Sequence, residues 1–124
     1  MELRKRLAFH IPEKAWRENR LEDINIDAEM GDLLRSLENA GASSFYVQKV
    51  TGYYKGRQYP ERILVIFCDS ASKASALVDV FENWFLSHNS ALRQEAFSYE
   101  RNRELIVKQV TLPEENLAQL LKAP

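Results

Sequence analysis

The chain has a single cysteine, Cys68, and only four glycines and four prolines. A lone cysteine cannot close an internal disulfide, so no covalent frame holds the fold, and a reducing compartment suits it. No glycine follows Gly56, which removes from the second half any glycine-rich turn whose backbone amides wrap a phosphate. Long apolar runs are also missing. Nothing approaches the roughly 20 residues that span a bilayer, and the N-terminal ELRKRLAFHIPE lacks the apolar core of a secretory signal, so a cytoplasmic location is expected without membrane insertion. Neither charge sign dominates: 17 Lys and Arg face 18 Asp and Glu, a net charge of −1. No global basic field therefore recommends nucleic acid or an anionic membrane. Finally, there is no phosphate loop, no paired metal-ligand motif and no nucleophile with a placeable base. The expectation is a protein without enzymatic activity, without a metal site and without a resident cofactor.

What is present describes one ordinary domain. The 124 residues, 45% hydrophobic and 28% charged, suffice for a single core spanning residues 1–124. The chain is organised around Ser44 to Asp69, which reads as strand, exposed loop, strand. Phe45, Val47 and Val50 sit among polar residues in the first arm, whereas Ile63 to Cys68 is unbroken apolar sequence, the pattern of a strand buried on both faces. Between them TGYYKGRQYP gathers three tyrosines, a lysine, an arginine and two glycines. Such a tip predicts a loop that contacts something.

Before this hairpin, Leu7, Phe9 and Ile11 alternate in a first strand that Pro12 ends. His10 falls on its less apolar side and reads as a partly buried or interfacial histidine, since it lacks partners at metal-ligand spacing. Residues Glu13 to Asn25 read as a connection containing a short helical turn, pinned to the body by Trp16. Asp27 is placed to cap a helix carrying Met30, Leu33, Leu34, Leu37 and Ala40 on one face, and Gly41 to stop it.

After the hairpin, Asp69 or Ser70 opens a second helix with Ala74, Leu77, Val78, Phe81, Trp84 and Phe85 inward. Ser87 to Arg93 breaks that pattern. Glu95–Glu100 and Glu104–Val110 return to strand, either as a second hairpin or as one long bent strand about Arg101-Asn102-Arg103. Leu112-Pro113-Glu114-Glu115 begins a short C-terminal helix with Leu117, Leu120 and Leu121 inward.

This order predicts an α+β fold, a ferredoxin-like βαββαβ sandwich with an antiparallel sheet whose first and third strands are central. The helices cover one face only. Because Ile63, Val65 and Phe67 alternate with Leu64, Ile66 and Cys68, both faces of the third strand are apolar, and self-association through the open face is expected. Cys68 fits a small buried hydrophobe better than a nucleophile.

A ferredoxin-like subunit with an uncovered apolar sheet and an extended, glycine-flanked loop resembles the PII-like superfamily, and AGASSFYVQKVTGYYKGRQY is similar to its passage from first helix into the T-loop. Tyr53-Tyr54-Lys55-Gly56, followed by Glu61 and Ile63 to Phe67, also resembles the divalent-ion tolerance protein CutA. Both resemblances imply a homotrimer. The first implies a regulatory or signalling protein that takes a small anionic effector, such as an adenine nucleotide, between subunits. Gly52, Tyr54, Lys55, Gly56, Arg57 and Gln58 would then be T-loop residues for ligand or partner contact over residues 52–60, with Arg101 and Arg103 as further cations for anionic oxygens. A non-enzymatic interaction trimer and a CutA-like divalent-metal binder are the alternatives. A nucleic-acid binder, suggested by Arg4-Lys5-Arg6 and the tyrosines beside Lys55 and Arg57, is opposed by the net charge.

Overall fold

The computed structural model describes residues 3–18 and 20–110. The elements run β1 (Lys5–Pro12), β2 (Lys14–Arg17), β3 (Arg20–Asp23), α1 (Asp27–Asn39), β4 (Phe45–Tyr54), β5 (Arg57–Cys68), α2 (Ala71–Leu92), β6 (Ala96–Arg101) and β7 (Glu104–Gln109). Five strands form one sheet in the order β4-β5-β1-β6-β7, with every neighbouring pair antiparallel, and β2-β3 make a separate hairpin. The fold is α+β with two helices on an antiparallel sheet, compatible with the ferredoxin-like class.

The core lies between the helices and one face of the sheet. Leu7, Phe9 and Ile11 of β1, Leu64, Ile66 and Cys68 of β5, and Phe97 and Tyr99 of β6 meet Leu33 and Leu37 of α1 and Leu77, Phe81, Trp84 and Phe85 of α2. Phe81 stacks on Phe9 at 4.4 Å between ring centres, with Tyr99 set edge-on to both. The Trp84 indole N–H donates to the carbonyl of Glu29 at 2.7 Å, so the largest side chain of α2 has its one polar atom satisfied on the first turn of α1. Cys68 is buried, and that burial pushes its thiol pKa up. It is a core residue, as its place in the alternation implies.

Four local expectations change. Residues 52–60 are not a loop: β4 and β5 pair without a break from Phe45↔Ile66 to Tyr54↔Arg57, and the connection is Lys55-Gly56 alone. Both carry positive φ, 49° and 76°, as a two-residue turn matching strand twist requires. The threonine and tyrosines that suggested an open tip instead pair across the ladder, where such residues fit well. Residues Glu13 to Asn25 hold the β2-β3 hairpin rather than a helical turn. It is stitched to the end of α2: the Trp16 amide donates to the Arg93 carbonyl and Arg93 Nε donates to that of Trp16.

Helix α2 does not break at Ser87. Its inner stripe continues through Asn89 and Leu92, and the Asn89 carboxamide both accepts from the Gln94 amide and donates to its carbonyl. A polar residue therefore occupies a stripe position by capping the chain that follows. Asp27 is not the cap of α1; the Asn25 side chain takes the Asp27 amide instead.

Other expectations stand. Gly41, at φ +103°, ends α1, with its amide and that of Ala42 closing on Glu38 and Leu37, which is a Schellman turn. Ser70 caps α2 through the Lys73 amide. Residues 96–109 form a hairpin rather than one bent strand. The C-terminal helix expected from Leu112 lies outside the described residues.

Candidate functional site

On the face of the sheet turned away from the helices, β1 places Ala8 and His10, β5 places Glu61, Ile63, Val65 and Phe67, and β6 places Glu100. The ladders make this inevitable. His10 pairs with Ile63, Pro12 with Glu61, and Ala8 with both Val65 and Glu100, and paired residues share a face while the next residue along points the other way. Ala8 and Val65 are fully buried and form the floor. Around it lie Tyr46 and Phe67, tilted against each other at 6.4 Å, and the exposed Leu105 and Val107.

His10 stands between the two glutamates. Its Nε2 lies 3.0 Å from Glu100 Oε2, and its Nδ1 lies 3.6 Å from Glu61 Oε2, with all three side chains partly buried. A neutral imidazole has one N–H to donate, whereas an imidazolium has two. With a carboxylate at each nitrogen, the protonated ring is the form that satisfies both. Burial pulls the His10 pKa down, but the hydrogen bonds and charges of Glu61 and Glu100 together outweigh it, and the value rises above 6.5. Two carboxylates and one imidazolium leave the cluster with a surplus negative charge.

Gly52 completes it. A Cβ there would lie 3.0 Å from Glu61 Oε2, a tight contact that would push the carboxylate aside by a few tenths of an ångström, so the absent side chain gives this carboxylate room over β4.

The residues expected to bind ligand divide into two separate groups. Tyr54, Lys55, Gly56, Arg57 and Gln58 form the exposed end of the β4-β5 hairpin, with Lys55 Nζ 5.3 Å from the Tyr54 ring centre. Arg101 lies at the other end of the sheet and faces the helices, donating to the Ala71 carbonyl and to Ser75 Oγ, while Arg103 sits in the β6-β7 turn. Leu7 pairs with both Ile66 and Arg101. From Ile66 to Arg57 is nine residues of β5 (66 − 57), about 30 Å of strand. The structure therefore does not bring the two groups of cations together.

Only Gly52 joins the cluster, and it does so by making room rather than by flexing. Glu61 and Glu100 were missed as partners of His10 because they lie 51 and 90 residues away in sequence. Their signal was a glutamate interrupting each strand that flanks the first one, in phase with His10 once the strand order is drawn. Among the described residues no group of three or more His, Cys, Asp and Glu is arranged to hold a metal ion.

Neither a family profile nor a curated protein sequence matches the chain. The class that architecture and cluster define is an α+β sheet protein with a cluster of titratable groups on the sheet face turned away from α1 and α2. Among solved structures, a phage SAM lyase in complex with S-methyl-5′-thioadenosine is similar, with a TM-score of 0.56 and 11% identity, over 86% of this chain and 89% of that one. At this identity the likeness carries the fold. It nevertheless overturns two expectations, because a neighbour that shares the fold along most of both chains is an enzyme. It points away from a PII-like regulator working through a 52–60 loop, for which the tight Lys55-Gly56 turn leaves no loop. It stands likewise against the expectation of a non-enzyme. That expectation rested on finding no phosphate loop, no paired metal-ligand motif and no nucleophile with a placeable base, and did not consider a cluster of titratable groups that only the strand register assembles.

Proposed function

We propose that this protein is a lyase acting on S-adenosylmethionine, with the His10–Glu61–Glu100 cluster as the charged centre of its active site. The observation that carries the reading is the imidazole set between two carboxylates on the sheet face turned away from α1 and α2. The similarity to a SAM lyase fold supports it. S-Methyl-5′-thioadenosine is what remains of S-adenosylmethionine when the bond from sulfur to the aminobutyrate carbon breaks and the electron pair stays on sulfur.

Each part of the site has a task in such a cleavage. The surplus negative charge of Glu61 and Glu100 attracts the cationic substrate and holds its tail. In the cleavage a carboxylate of Glu61 or Glu100 would take a proton from the carbon next to the breaking C–S bond, the C–H electron pair forming the double bond of the released fragment, and His10, paired with both carboxylates, would hold them in place. Tyr46 and Phe67, tilted against each other, offer aromatic rings for the purine. Phe67 is four residues from Ile63, the partner of His10, about 13 Å along the strand, a distance that a nucleoside with an extended tail bridges.

The same reading takes the topology as ferredoxin-like and the protein as a cytoplasmic homo-oligomer, a trimer built through the open face. Exposed Tyr46, Leu105 and Val107 support that association. Among the described residues no helix is long and apolar enough to cross a membrane.

The test is incubation of the full chain with S-adenosylmethionine, with S-methyl-5′-thioadenosine followed by chromatography. Release above the uncatalysed rate is expected, with Glu100→Gln slower by roughly 10²–10⁴-fold, the usual worth of a positioned acid or base. No release by the folded wild-type chain would end the proposal.

A further inference from the structure

Resting on that assignment of the site, we infer that the cluster recognises its ligand by positive charge and takes it in exchange for a proton. A sulfonium or ammonium group settles against Glu61 and Glu100 while the His10 ring proton leaves to solvent. No covalent bond is made or broken except the N–H of His10, and the proton goes to water or buffer.

The geometry requires the exchange. Among the described residues His10 is the one cationic group paired with the two carboxylates: Nε2 meets Glu100 Oε2 at 3.0 Å and Nδ1 faces Glu61 Oε2 at 3.6 Å. The groups facing His10 from the packed strands are Glu61 and Ile63 of β5, Glu100 and Ser98 of β6, and Gln48 of β4, while Leu105 and Val107 of β7 are apolar. Other cations on this face are remote. Arg6 lies four residues along β1 and Arg57 four residues beyond Glu61 along β5, each about 13 Å away.

A second cation entering between the same carboxylates meets a like charge on His10, and like charge disfavours the protonated ring. A neutral ring leaves one nitrogen without a donor, so one carboxylate is free for the ligand. The cluster then carries two negative charges against the ligand's positive one. A neutral thioether has no such effect, so charge separates the sulfonium from S-methyl-5′-thioadenosine at this point of the site.

Linkage makes the effect reciprocal: the cation tightens as His10 deprotonates, and His10 deprotonates as the cation binds. The ring hydrogens of the chain's two histidines, His10 and His88, report this directly by NMR, with His88 as the internal reference. Titrations of the full chain are run without ligand, with S-adenosylmethionine, with S-methyl-5′-thioadenosine, and with the uncleavable amine analogue in which an aminomethine carbon replaces the sulfonium.

The titration midpoint of His10 is expected to fall by about one unit or more with either cation, as for a like charge brought to contact, and to stay in place with the neutral thioether. A midpoint unmoved by the cations, moved equally by the thioether, or an absence of binding by either cation would overturn the inference. Thioadenosine release is measured separately. Cleavage without a His10 shift leaves the lyase standing and removes the proton exchange, whereas a shift with the amine analogue but no cleavage removes the lyase and keeps the exchange.

Discussion

The two faces of one sheet are built from the same three strands and do opposite work. Toward the helices, β1, β5 and β6 present Leu7, Phe9, Ile11, Leu64, Ile66, Phe97 and Tyr99, all buried. Away from them, the alternate residues are Ala8, His10, Glu61, Ile63, Val65, Phe67 and Glu100, where charge, aromatic surface and exposed aliphatic side chains are mixed. Period-two alternation allows this, because a strand can carry a core on one edge of its sequence and a reactive surface on the other without either constraining the other's residue types. Stability belongs to the first face and the proposed chemistry to the second. Substitutions on the two faces should therefore differ in kind.

The largest effect is expected on the covered face. Trp84→Ala removes a buried indole and leaves the Glu29 carbonyl without its donor, for a loss on the order of 3–5 kcal/mol. A denaturation midpoint equal to wild type would mean that the covered face does not carry the stability.

On the open face the next effect depends on pH. The folded-state pKa of His10 lies above the 6.5 of a free histidine. Its stabilising contribution is thus fully present below 6.5 and fades as pH rises through the raised value. Comparing wild type with His10→Gln, the stability difference in favour of wild type should be larger at about pH 5.5 than at about pH 8.5. A difference growing with pH would mean that the ring is held neutral.

Gly52→Ala sharpens the comparison further, since the added methyl would displace the Glu61 carboxylate. The His10 titration midpoint should drop below that of wild type while the fold persists. No change would mean that Glu61 contributes nothing to the cluster. Leu105→Ser, on the face proposed to associate, should lower stability in a way that depends on protein concentration, and a loss independent of concentration would count against a second copy as the cover. Smallest of all, Tyr54→Ala, at an exposed position, should change stability by under about 0.5 kcal/mol.

How much of this was legible in the sequence follows from the range over which each feature is determined. The stripes of α1 and α2, the doubly apolar run from Ile63 to Cys68 and the caps at Gly41 and Ser70 are local, and they read correctly. The β2-β3 hairpin was hidden because Lys14–Arg17 and Arg20–Asp23 are four-residue strands of mixed polarity, held by bonds to Arg93 that local pattern does not contain. The run TGYYKGRQYP looked like an open tip because glycines and charges dominate its composition, although its two-residue turn and cross-strand tyrosines suit a ladder. The candidate site was the least legible, since His10 becomes a cluster only when residues 10, 61 and 100 are brought into one register.

That register bears on how the protein comes into being. β1 precedes the other described strands in the chain and is the middle strand of the five, between β5 and β6. Its first partner, Cys68 to Glu61, emerges some fifty residues later, and its second, Tyr99 to Arg101, some ninety later. During synthesis Leu7, Phe9 and Ile11 therefore remain without a place to go for most of the chain's length. Pairings this distant in sequence put the fold toward the slow end for a domain of its size. The nascent chain is most exposed to aggregation while its central strand still has an unpaired edge.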